Sequence, residues 1–137
     1  MLPSEVEGWY EEIEGENLAQ LAKDAPGEIV ELGTAWGRSA AFILAETDRD
    51  MVCVDLWDKS DAWEEGQVSG DDVLASFRNL LIENKWEDRV TIIQGSTQEV
   101  AKTWDRPIGL LHIDASHDYE SVSADFRLWS PHLIPGG

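Results

Sequence analysis

Apolar runs and amphipathic stretches alternate along this chain, joined by short connections. Residues 4–25 carry a helical pattern that Pro26-Gly27 brings to a stop. "EIVELG" (28–33) is a short apolar strand running into a glycine, and "GRSAAFILAET" (37–47) reads as a helix. A second strand, "MVCVDLW" (51–57), precedes a polar loop over 59–70. From Asp71 a helix places Val73, Leu74, Phe77, Leu80 and Leu81 at the three- and four-residue spacing of one buried face. "RVTIIQG" (89–95) makes a third strand, "TQEVAKTW" (97–104) a short helix, and "IGLLHIDAS" (108–116) a fourth strand. The last helix, 120–133, puts Val122, Phe126 and Trp129 on one side. Strands alternating with helices imply a parallel sheet with right-handed crossovers, hence an open α/β fold flanked by helices.

With 137 residues the chain is sized for one domain, a helical lead-in over 1–27 followed by an α/β core over 28–137. Its 28 acidic and 10 basic residues give a formal charge of −18, which argues against nucleic-acid and anionic-membrane partners because no cationic surplus exists to displace phosphate counterions. The acidity is spread along the chain and reads as solvated surface. The single cysteine, Cys53, lies inside an apolar run and reads as a buried, inert thiol. No apolar stretch approaches the roughly 20 residues that span a bilayer. The N-terminus also lacks the basic start and apolar middle of a signal peptide. The expectation is a cytoplasmic protein.

Ligands of open parallel sheets bind beyond the carboxyl ends of the strands, and each strand here leaves polar groups at that edge. The first leaves Glu31, Gly33 and the turn to Gly37; the second leaves Asp55 and Trp57; the third leaves Gly95 and Ser96; the fourth leaves Asp114, Ser116 and His117. Gly33 and Gly37 bracket a turn where backbone can approach a ligand closely. Asp55 follows Gly33 by 22 residues, near the spacing of an acid that bonds ribose hydroxyls. The G-x-x-x-G turn is not the G-x-G-x-x-G of a pyrophosphate site. Glu31 would repel phosphate and attract an ammonium or sulfonium. These residues favour a cationic adenosine ligand over a dinucleotide, and S-adenosylmethionine is the candidate.

"VELGTAWGRSA", "VCVDLW", "VTIIQGST" and "LLHIDASHDYESVSADFRLWSPHLIPGG" resemble the successive motifs of class I S-adenosylmethionine-dependent methyltransferases, with a Rossmann-like sheet. The branch they resemble contains macrocin-type sugar O-methyltransferases and cephalosporin hydroxylase-like proteins. The resemblance covers residues 28–137. It implies that Glu31 receives the methionine ammonium, Gly33 and Gly37 shape the pocket, Ser39 donates to the methionine carboxylate, Asp55 holds the ribose and Ser96 lies near the adenine. Trp36 and Trp57 are candidates to line the pocket. It further implies that Asp114 ligates a divalent metal such as Mg²⁺ and that His117 is the general base towards a small hydroxylated acceptor. Hard Mg²⁺ suits carboxylate oxygens, and His titrates where a neutral-pH base must.

Each residue has a plainer reading beside this one. The glycines could only form a turn, Asp55 could cap a loop, and Asp114 with Ser116 could cap the next turn with His117 on the surface. His112 reads as a packed, hydrogen-bonded histidine, and Asp118, Tyr119 and Asp125 as helix-start and surface groups. The family's fold normally continues after "PGG" with a fifth strand bearing further acidic metal ligands. Without it, the sequence reads as a fragment truncated after the fourth-strand region or as a natural short form. The fourth strand is then an unpaired edge in the order three-two-one-four, a pairing template that predicts a homo-oligomer through that edge. The functional expectations are therefore a metal-assisted O-methyltransferase, or instead a non-catalytic adenosine-cofactor-binding or assembly module. A nicotinamide-dependent oxidoreductase is disfavoured by Glu31 and the missing middle glycine.

Overall fold

The computed structural model describes residues 3–6, 11–58, 69–115 and 118–137. After a 3-10 turn at Pro3–Glu5, helix α1 (Glu12–Lys23) leads into strand β1 (Glu28–Leu32). Helix α2 (Arg38–Glu46) and strand β2 (Met51–Asp55) follow, then α3 (Gly70–Glu83), β3 (Val90–Gln94), α4 (Thr97–Ala101), β4 (Ile108–Ile113) and α5 (Tyr119–Trp129). The four strands form one parallel sheet in the order β3-β2-β1-β4. Open α/β architecture with a parallel sheet is therefore what the alternation of patterns produces. The strands end sooner than the apolar runs do, β2 at Asp55 and β4 at Ile113, and α4 stops at Ala101.

Side chains alternate across a strand, and the sheet divides two cores on that basis. Ile29, Met51 and Cys53 pack on one face with Ala40, Ile43, Leu44, Phe77 and Leu81 from α2 and α3. Val30, Leu32, Val52 and Val54 pack on the other with Trp104, Ile108 and Trp129. Glu31 shares the parity of Ile29, so it enters the first face as a carboxylate among apolar neighbours. Arginines tie the opposite end of the sheet. Arg49 donates to the carbonyls of Ala22 (3.0 Å) and Ala25 (2.7 Å), and Arg89 to those of Leu44 (3.0 Å) and Thr47 (2.8 Å). These carbonyls lie at or just past the C-terminal ends of α1 and α2, where the helical ladder runs out of donors.

Three expectations change. Trp129 is fully buried, yet Val122 and Phe126 are exposed, the latter at 59%. The buried stripe of α5 is instead Asp125 and Trp129, one turn apart. Asp125, read from sequence as a surface group, is buried and accepts a hydrogen bond from the Thr97 hydroxyl at 2.6 Å. The Trp129 indole N–H donates to the Thr97 carbonyl at 3.0 Å, so one threonine joins α4 to α5 through both side chain and backbone. Burial pushes the Asp125 carboxyl above its ordinary value, against the opposing pull of that hydroxyl. Finally, β4 is an edge strand as expected, but its first residue is covered. Ile108 bridges Leu133 in parallel and accepts from Ile134 N–H at 3.0 Å. No described strand pairs with Gly109–Ile113 on that side.

Candidate functional site

The strand order reverses between β1 and β4, because the chain builds β1, β2 and β3 outward in one direction and then returns to the other side of β1. Such a reversal opens a crevice beyond the strand ends, where open α/β sheets bind their ligands. Glu31 and His112 stand at this point in register with one another, and Cys53 is Glu31's partner on the other side. Glu31 is fully buried. Its Oε2 accepts from the Ser39 hydroxyl at 2.5 Å and from His112 Nδ1 at 2.9 Å. Its Oε1 is buried with no hydrogen-bond partner among the described residues. A buried acceptor left unpaired costs about 1–3 kcal/mol.

This carboxylate shapes its surroundings electrically. Burial pulls the His112 imidazole towards the neutral form, but the hydrogen bond and charge of Glu31, with the charge of Asp114, outweigh it and raise its pKa. Cys53 is free, buried and held well above the ordinary thiol range by desolvation and by Glu31. It has the environment of an inert thiol rather than a nucleophile.

The turn between β1 and α2 is tightly determined. Gly33 and Gly37 have φ of +88° and +92°. A Cβ on Gly33 would lie 2.3 Å from Ala115 Cα, so the turn presses directly on the end of β4. The room a glycine frees at position 33 is thus taken by the chain itself. Between them Ala35 also has positive φ, at 53°. Asp55 accepts from Ala35 N–H at 2.8 Å and from Trp57 N–H at 3.0 Å, while the Trp57 indole donates to the Ala35 carbonyl at 2.9 Å. Both polar groups of a strained residue are thereby held from the end of β2, the over-determination such backbone requires. Burial raises the Asp55 pKa, with the backbone N–H groups opposing it and the Glu31 charge adding to it. Trp57 is buried and stacks on Phe77, with ring centroids 6.1 Å apart.

Ser96 caps α4, its hydroxyl accepting from Glu99 N–H at 3.4 Å. Asp114 is exposed just past β4, and its N–H donates to the Leu32 carbonyl at 2.7 Å. His117 and Ser116 lie outside the described residues. Among the described residues, no group of three or more His, Cys, Asp or Glu side chains could hold a metal ion. The structure therefore gathers Glu31, Gly33, Gly37, Ser39 and Asp55 around one turn. It adds His112, whose place as a packed, hydrogen-bonded residue was legible. Its tie to Glu31 was not read from the sequence, although both residues stand two positions before the polar residue or glycine that ends their strand.

Open α/β sheets of this kind bind their ligands in the crevice at the switch point. Comparison narrows this class: a family profile described as a methyltransferase domain matches residues 30–137, and the chain belongs to that family. An uncharacterized protein of Sinorhizobium fredii, y4gI, is 28% identical over 117 residues, covering 80% of this chain and 12% of its own length. The fold is also similar to the S-adenosylhomocysteine-bound methyltransferase PaMTH1 of Podospora anserina, at a TM-score of 0.71 and 22% identity over 94% of this chain and 51% of that one. It is similar to a Bacillus cereus O-methyltransferase in complex with S-adenosylhomocysteine, at 0.66 and 18% identity, over 90% of this chain and 53% of that one. The chain thus spans about half the length of these solved structures. No helix among the described residues is long and apolar enough to cross a membrane.

Proposed function

We propose that this chain forms the cofactor-binding part of an S-adenosylmethionine-dependent methyltransferase acting on an oxygen of a small hydroxylated metabolite or sugar, in the macrocin-type branch. The unpartnered, buried Oε1 of Glu31 carries the reading. It is an anionic acceptor with no donor among the described residues, which suits an ammonium and repels a diphosphate. In this reading Glu31 takes the methionine ammonium, Ser39 stands at the first turn of α2 near the carboxylate, Asp55 bonds the ribose and Ser96 borders the adenine. Gly33 and Gly37 keep the turn compact between them. The cofactor, when bound, supplies a methyl group on a sulfonium that leaves as a neutral thioether.

His117 is the candidate to take the acceptor hydroxyl's proton, since an imidazole is the side chain suited to general-base work at neutral pH. Asp114 is one carboxylate, and it belongs to no group of three or more acidic, cysteine or imidazole side chains among the described residues. Those residues do not make up a Mg²⁺ site. We infer too that the open side of β4 is covered by a second copy of the chain.

Titration calorimetry tests the cofactor assignment. S-adenosylhomocysteine is expected to bind and NAD not to. Glu31→Gln, which removes the charge and keeps the shape, is expected to weaken S-adenosylhomocysteine by about ten-fold or more. Binding of NAD, or an unchanged affinity in the variant, overturns the proposal.

A further inference from the structure

Two donors from different elements converge on the same oxygen of Glu31. Ser39 reaches Oε2 from the first turn of α2, and His112 reaches it from the neighbouring strand. The terminal torsion of a glutamate is broad and roughly two-fold, so an unanchored carboxylate would turn freely. Here the two donors set the plane of the carboxylate, whichever of its equivalent oxygens they take, and the parallel register places Glu31 beside His112. Glu31 has no exposed surface, and the His112 side chain is 15% exposed. The contact lies away from competing water, where a charge-assisted bond is strongest.

Resting on the cofactor reading above, we propose that His112 is a positioning residue that makes the site selective for ligands bearing an ammonium group. Together with Ser39 it occupies Oε2, and thereby presents Oε1 as the acceptor for the amino group of the cofactor's amino-acid end. A ligand with the same adenosine thioether but no amino group gains nothing from this arrangement. A purely structural histidine would behave differently. Its loss would loosen the strand ends and weaken every ligand of the crevice in the same proportion.

The test compares S-adenosylhomocysteine with its desamino analogue by calorimetry on the purified chain, with thermal melting of each variant alongside. His112→Leu is expected to weaken S-adenosylhomocysteine about ten-fold or more, the scale of a hydrogen bond to a charged group, and to leave the desamino analogue unchanged. His112→Asn, whose amide N–H can stand where Nδ1 stands, is expected to restore most of the loss. If His112→Leu does not fold, His112→Gln, whose amide reaches the Nε2 position instead, serves as the deficient variant. Equal losses for both ligands, no loss for either, or failure of His112→Asn to rescue overturns the assignment. Should the unaltered chain bind neither ligand, the cofactor reading falls first and this one with it.

Discussion

Gly33→Ala offers a quantitative test of the turn that builds the site. Two costs add. A residue with a Cβ held at φ +88° is strained by about 1–2 kcal/mol. The new methyl would also meet Ala115 Cα at 2.3 Å and Ala115 N at 2.4 Å, both backbone atoms that no rotamer change can move. Relieving such a clash by shifting the backbone costs about 1–3 kcal/mol. The sum, roughly 2–5 kcal/mol, is a large part of the ~5–15 kcal/mol that holds a domain together. For a chain of this length it corresponds to a fall in Tm of roughly 6–20 °C. Gly136→Ala is the internal control, because Gly136 has the same φ of +88° but only Pro26 Cγ, at 3.8 Å, near its added Cβ. It should show the conformational cost alone. Circular dichroism melts of both variants measure the difference, which isolates the contact with β4. Melting of Gly33→Ala within a degree or two of Gly136→Ala would refute the claim that the turn rests on Ala115.

Asp125 supplies a pH test. Its folded pKa is raised above 3.8 by burial, so above that value the folded state holds a proton the unfolded state has released, and stability falls as pH rises through the window. Asp125→Asn keeps an acceptor for Thr97 and removes the charge, so its stability relative to the unaltered chain should grow with pH above 3.8; parallel denaturation curves at every pH would exclude this. The open side of β4, with Val122 and Phe126 exposed nearby on α5, is expected to give concentration-dependent dimers in light scattering, and a monomer at high concentration counts against pairing there.

Strand and helix alternation and the parallel class follow from local periodicity, because an element two-fold or 3.6-fold in its apolar pattern has few ways to bury it. The edge position of the fourth strand comes from the strand order that the family resemblance implies. The chemistry-bearing strand ends follow as well, since the carboxyl edge of a parallel sheet collects whatever each strand leaves. Glu31, Gly33, Gly37 and Asp55 stand out for that reason, whereas Ser39, in α2, is singled out only through the family resemblance. What the chain's order could not disclose were pairings between distant residues. Whether Ser39 faces a ligand or Glu31, which carboxylate oxygen is occupied, and why Gly33 must lack a side chain depend on register between β1 and β4 and on the path of the turn over Ala115. The same holds for Asp125, polar in sequence and buried in space because Thr97 from another helix meets it. Periodicity is a property of one segment, whereas hydrogen bonds between segments exist only once the sheet has set their distances.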